Sequence, residues 1–161
     1  AVREIKDTQP QYIAWTLELA GPSLRHEKYK EYKGHRVKSD HELFDQITRV
    51  KEVVRALNIP IFEKEGYEAD DCLGTLATHL HKKNPEAEII IATCDLATLQ
   101  FVNDSIKVYT LRKGISDPAI YYSRAVRARS ELSPIHLFCY LGFTSAPSDT
   151  LPVVSALWSQ C

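Results

Sequence analysis

Apolar positions along this chain change their spacing several times, and each change marks an element. Ala1 to Gln11 is polar and reads as the tail of a helix ending near Pro10. Tyr12 to Leu17 (YIAWTL) is a short apolar run, which predicts a strand buried on both faces, with Glu18 at its carboxyl end and Gly21-Pro22 as a break. Leu43, Phe44, Ile47, Val50, Val54 and Leu57 fall at helical spacing, so a helix is expected from His41 to Asn58 with Asp40 as its cap. Ile59 to Phe62 reads as a strand. Ala69, Cys72, Leu73, Leu76 and Leu80 then mark the apolar face of a helix reaching about Lys83, closed by Asn84-Pro85.

Ile89 to Thr93 (IIIAT) is the clearest buried strand, and it runs into Cys94-Asp95 and a short helix over Leu96 to Phe101. Ile106 to Thr110 predicts another strand, Arg112 to Pro118 a loop turning at Lys113-Gly114, Tyr122 to Arg129 a helix, and Ser133-Pro134 the start of a helix running through Tyr140. Past Gly142 the prolines and small polar residues read as loop. Short apolar strands alternating with helices predict an α/β fold with a mainly parallel sheet covered on both faces. In such folds the site lies beyond the carboxyl ends of the strands. Glu18 and Asp95 stand at two such ends, and Glu68 follows a third, so separate elements deliver acids toward one edge.

Charge sharpens this picture. The net charge is −1, but residues 24–38 carry six Lys/Arg against two Glu, and residues 62–71 carry five acids against Lys64. An amphipathic helix does not need Glu68, Asp70 and Asp71 crowded into its first turn. The helix dipole accounts for part of that charge, and a divalent cation would relieve the rest. A charged helix start and a solvated basic segment are the plainer alternatives. Nucleic-acid enzymes that use metal ions combine patches of these two kinds. Cys72, Cys94, Cys139 and Cys161 form no C-x-x-C pair, and His79 and His81 are too close for the usual helical zinc spacing, so reduced cysteines and a cytoplasmic setting are expected. No apolar run approaches the ~20 residues of a membrane span, and no signal-peptide pattern opens the chain. The chain has no methionine, which suggests ends that are not native.

Five stretches in order, GPSLRHEKYKEYKGHR (21–36), EGYEADDCLGTLA (65–77), IIIATCDLATLQ (89–100), KVYTLRKGISDP (107–118) and the looser LGFTSAPSDTLP (141–152), resemble the 5′-nuclease domain of bacterial DNA polymerase I, a relative of the flap endonucleases. The resemblance implies a three-layer α/β/α fold of the PIN-like kind that cuts branched or 5′-ended DNA in replication and repair, using divalent ions, Mg²⁺ or Mn²⁺. On it, Glu68, Asp70 and Asp71 match the E-A-D-D ligands, Asp95 the first acid of T-G-D-x-D, and Asp149 the second acid of the G-D-x-S-D-N loop. Arg25, Lys33 and Arg36 match basic residues at the phosphate near the cut, and Tyr29 is a candidate for stacking on a base. Two ions ~4 Å apart need several carboxylates to hold them.

The chain departs from the family pattern where that chemistry lives. Glu18 stands in place of Asp after the second strand, and Ala97 and Ala146 replace acids. The family's first strand, with its own ligand Asp, has no counterpart in residues 1–161. The expectation is therefore one domain over 1–161, with an α/β core at 1–140 and the remnant of a DNA-binding helix-hairpin at 141–161. At least one ion is expected, with the second weak or absent, and cleavage is expected to be impaired. The implied partners are DNA and a polymerase domain in a longer parent chain, with no membrane and no small-molecule cofactor. The alternative is a non-catalytic descendant that keeps the fold and weak DNA affinity.

Overall fold

A computed structural model describes residues 2–34, 41–111 and 118–143. These fall into two compact units, one running to Cys72 and the other starting at Leu73. In the first unit, helix α1 (Val2–Thr8) closes on itself through Thr8 Oγ1, which donates to the Glu4 carbonyl at 2.7 Å. Pro10 then prevents its continuation. Strand β1 (Trp15–Thr16) pairs in parallel with β2 (Ile61–Phe62), Trp15 opposite Ile61, and the Trp15 and Leu17 N–H groups extend the ladder to Pro60 and Phe62. The run from Tyr12 thus yields a shorter strand than expected. Tyr12 is exposed, and Trp15 and Thr16 are half-buried rather than enclosed on both faces.

Helix α2 (Leu24–Lys28) opens the basic segment, and α3 (His41–Ala56) follows. Of the expected apolar stripe Val54 is buried, while Val50 on α3 and Leu57 just past its end are exposed. Asn58, in the left-handed region at φ 55, turns the chain from α3 toward β2, and Lys51 pairs with Glu63 at 2.6 Å. Helix α4 (Ala69–Lys83) begins at the acidic turn.

The second unit is built on a three-stranded sheet in the order β3 (Ile89–Ala92), β4 (Ile106–Leu111), β5 (Pro118–Tyr121). The first pair is parallel and the second antiparallel. Pro118 was expected to end a loop and 119–121 to form no element; the four residues are instead a strand paired along β4. A 3₁₀ turn (Leu96–Phe101) stands where a short helix was expected, and α5 (Ser123–Ser130) and α6 (Pro134–Phe143) complete the unit. Its core is Ile91, Leu99, Val102, Ile106, Val108, Tyr121, Val126 and Leu137 with Ala77 of α4, and Val108 and Val126 are wholly enclosed. Among the described residues no helix is long and apolar enough to cross a membrane. Cys72, Cys94 and Cys139 are free thiols.

Candidate active site

The acidic turn is built by backbone geometry first. Gly66 sits at φ 79, a conformation that costs glycine nothing, and its carbonyl accepts from the Leu24 N–H at 2.8 Å. The basic helix α2 is thereby tied to the turn. Glu68 caps α4: its carbonyl accepts from the Asp71 and Cys72 N–H groups. Asp71 returns the bond, its Oδ2 accepting from the Glu68 N–H at 3.0 Å. The Asp71 carboxylate thus satisfies the Glu68 N–H, one half of a capping box, and both acids stand at the positive end of the dipole.

Ser23 and three side chains of the basic segment then converge on the two acids. Glu68, 8% exposed, accepts from Lys33 Nζ at 2.9 Å, from the Tyr32 hydroxyl at 3.2 Å and from Ser23 Oγ at 3.2 Å, with Arg25 Nη1 at 3.7 Å. Asp71 takes the Arg25 guanidinium as a two-pronged pair, both bonds at 2.7 Å. Buried charge is tolerated when paired and hydrogen-bonded in this way. Lys33 reaches Glu68 from the left-handed region at φ 54, an uncommon conformation for a non-glycine residue. Its ammonium also lies 5.1 Å above the Tyr32 ring, which meets His26 edge-on.

The electrostatics follow from these contacts. The Arg25 guanidinium holds the Asp71 carboxyl below its ordinary range, and Asp71 in turn raises Arg25. Burial pushes Glu68 up, but Lys33 and Arg25 outweigh it and the net shift is downward. Burial likewise pulls Lys33 down while Glu68 raises it, and the attraction prevails. Burial pushes the nearby Cys72 thiol up. At neutral pH the cluster is therefore two carboxylates matched by two cations.

The remaining candidates are distributed differently. Asp70 is half-buried in the first turn of α4. Glu18 is exposed and lines an open cleft with Ser23, Glu65 and Tyr67. Tyr29 donates its hydroxyl to Glu31 at 2.9 Å. Asp95, in the second unit, caps the 3₁₀ turn, its Oδ1 accepting from the Ala97 N–H at 2.8 Å. Arg36 and Asp149 lie outside the described residues. From the sequence Ser23 has no role and Tyr32, like Tyr29, reads as a residue for base stacking or packing, not as a hydroxyl donor to Glu68. The signal for Ser23 was its place as cap residue before α2, where its N–H donates to His26 Nδ1.

Hard carboxylate oxygens on Glu68, Asp70 and Asp71 have the donor chemistry a Mg²⁺-like ion requires. Two of these three carboxylates are bonded to Lys33 and Arg25. Among the described residues, neither unit gathers three His, Cys, Asp or Glu side chains as a metal cage. The acids at the start of α4 carry the donor chemistry of a hard-cation site, with Glu68 and Asp71 engaged by Lys33 and Arg25 in this structure.

Residues 1–131 match the family described as 5′-3′ exonuclease, N-terminal resolvase-like domain. The chain is 37% identical to DNA polymerase I of Caldicellulosiruptor bescii over 158 residues, covering 97% of this chain and 18% of the relative. It is 35% identical to DNA polymerase I of Chloroflexus aurantiacus over 156 residues, covering 95% of this chain and 16% of the relative. It thus spans about a sixth of the length of these curated relatives. Among solved structures, a mutant of the bacteriophage T5 5′-exonuclease matches with a TM-score of 0.77 at 14% identity, over 96% of this chain and 57% of that one. A bacteriophage T5 flap endonuclease in complex with DNA and metal ions matches with a TM-score of 0.75 at 15% identity, over 99% of this chain and 60% of that one. At such identity the likeness is one of fold, and the fold is the α/β fold of PIN-like 5′-nucleases. The chain belongs to the 5′-3′ exonuclease family, and its resemblance runs to the 5′-nuclease domain of bacterial DNA polymerase I.

Proposed function

We propose that this chain is a metal-dependent 5′-nuclease domain acting on phosphodiesters of branched or 5′-ended DNA, with impaired turnover. The observation that carries the reading is the convergence of Arg25 and Lys33 on Glu68 and Asp71, four charged groups of the kinds a phosphodiester reaction requires within one cluster. Glu68, Asp70 and Asp71 would hold one divalent ion, Mg²⁺ or Mn²⁺, whose chemistry when bound is to stabilise charge on the phosphate and activate water. Arg25 offers a planar fork for phosphate oxygens, and Lys33 a compact charge beside it. Tyr32 and Ser23 hold the Glu68 carboxylate in one orientation. Arg36 is assigned with Arg25 and Lys33, and Asp95, Asp149 and Glu18 with the acids, on the family pattern.

Impairment is supported by two departures and one contact. Ala97 and Ala146 offer no ligand, and Asp95 is used as a cap by the 3₁₀ turn. Losing several groups from a unit that acts together removes most of its rate enhancement. The same observations favour the alternative, a non-catalytic descendant with weak DNA affinity. Fusion to a polymerase domain and a cytoplasmic role in replication or repair belong to the proposal, supported by the polymerase relatives.

Incubation of a labelled 5′-flap duplex with the protein in Mg²⁺ or Mn²⁺, beside Asp71→Ala, tests it. Cleavage that the substitution removes is the expected result. Equal background in both proteins overturns the enzyme reading in favour of the alternative.

A further inference from the structure

Helix α5 is assembled against the rules that stabilise a short helix. Its first turn holds no acid, its N-cap Tyr122 makes no side-chain bond, and Arg124 is its second residue. A cation there faces the positive end of the helix dipole. Arg127 and Arg129, in the last turn, sit where the same dipole favours them. Arg124 has no such explanation. A local rule broken without a compensating contact among the described residues is a pointer to function.

The packing of α5 fixes which way these side chains face. Val126 is wholly enclosed, and Ser130 Oγ donates back to the Val126 carbonyl at 2.8 Å, so that side of the helix is inward. Arg124 and Arg127 are exposed, and three-residue spacing makes them neighbours on the outer surface, with the small Ala128 beside them. Neither forms an ion pair with a described residue. Glu131 donates its backbone N–H to Arg127, but the two side chains are not paired. Arg129 is held at the edge of this surface, its guanidinium 5.8 Å over the Tyr121 ring and donating to the Tyr121 hydroxyl at 3.2 Å.

We propose that Arg124 and Arg127, flanked by Arg129, form a contact surface for the phosphate backbone of nucleic acid. Three arginines and no lysine on α5 suit that partner, because a guanidinium matches two phosphate oxygens at once. The proposal takes its partner class from the nuclease reading but uses none of the residues at the acidic turn.

The test is anisotropy of a fluorescein-labelled DNA duplex across salt concentrations, in EDTA so that no cleavage or metal enters. Wild-type protein is compared with the Arg124→Glu/Arg127→Glu double variant. Both positions are exposed, and circular dichroism checks that folding is unchanged. The expected result is affinity at least ~10-fold weaker at the lowest salt, and a log K against log salt slope shallower by about 2, one phosphate per arginine. The Arg124→Lys/Arg127→Lys variant should keep the wild-type slope. Equal affinity and slope in wild type and charge-reversed protein overturn the proposal, as does absence of any duplex binding by wild type. Displacement by poly-glutamate as readily as by unlabelled DNA overturns the phosphate assignment in favour of an acidic protein surface. A failed flap-cleavage assay with the slope change intact would sink the nuclease reading and leave this one standing.

Discussion

Lys33 holds the more buried of the two carboxylates and Arg25 the more exposed, and that difference sets what each cation is worth. The Lys33–Glu68 pair has side chains 16% and 11% exposed, whereas Arg25 in the pair with Asp71 is 46% exposed. Truncating Lys33 to Met leaves a buried carboxylate with hydroxyl donors and a distant guanidinium, a loss of about 2–3 kcal/mol. Arg25→Ala costs about 1 kcal/mol or less, because water screens that pair. Urea denaturation at neutral pH should rank the variants in this order, and an Arg25 variant as damaged as Lys33→Met would refute the ranking. Asp71 adds a pH dependence of known sign. Its carboxyl is held below the ordinary value of 3.8, so its stabilising effect is present above that value and disappears as pH falls through the lower folded-state value. The stability gap between wild type and Asp71→Asn should therefore close on acidification below about pH 4, read by thermal melts. Glu68 and Asp71 were legible in the sequence as excess charge at a helix start. Their partners Ser23 and Tyr32 lie 45 and 36 residues away from Glu68, and local pattern carries no signal over that separation.

At the scale of elements, α4 shows how a tertiary contact reverses a propensity. Gly74 is interior to the helix, where alanine would ordinarily gain about 1 kcal/mol. A β-carbon at that position would lie within 3.0 Å of three ring atoms of Phe101. Overpacking of this kind costs about 1–3 kcal/mol. Gly74→Ala should lower the melting temperature despite its better propensity, and Phe101→Leu in the same chain should recover most of the loss. A stabilised single variant would show that the ring yields freely. The helices and the buried strands β3 and β4 were legible because their apolar spacing is unambiguous. The strand β5 was not, because its first residue is Pro118, which offers no ladder donor, and it is four residues long. The exposed Val50 and Leu57 show the opposite failure, in which helical spacing marks positions that are not buried among the described residues.

For the whole molecule, ancestry was legible because five ordered blocks survive, while the impairment proposed for it rests on positions where the blocks have changed. Ala97 is the informative one. Its N–H is bonded to the Asp95 carboxylate at 2.8 Å, so Asp95 is engaged in capping a turn of its own unit. Ala97→Asp puts a second carboxylate two residues from the first, and Glu18→Asp restores the shorter acid of the family pattern after β1. The one added acid repels the nearby Asp95, which lowers stability slightly when no cation is present. A divalent ion reverses that penalty, since ligands that bind the folded state raise its stability by mass action. The double variant should consequently melt below wild type in EDTA and gain more from added Mn²⁺ than wild type does. If the loss of acids is what limits turnover, cleavage of a 5′-flap duplex should rise by at least ~10-fold, equivalent to about 1.4 kcal/mol of the barrier. A variant that binds Mn²⁺ more tightly yet cleaves no faster would locate the impairment elsewhere. In that case the Lys33 and Arg25 pairings, which keep Glu68 and Asp71 engaged, become the limiting feature, and Arg25→Ala in the double variant should then tighten Mn²⁺ binding further by freeing the Asp71 oxygens.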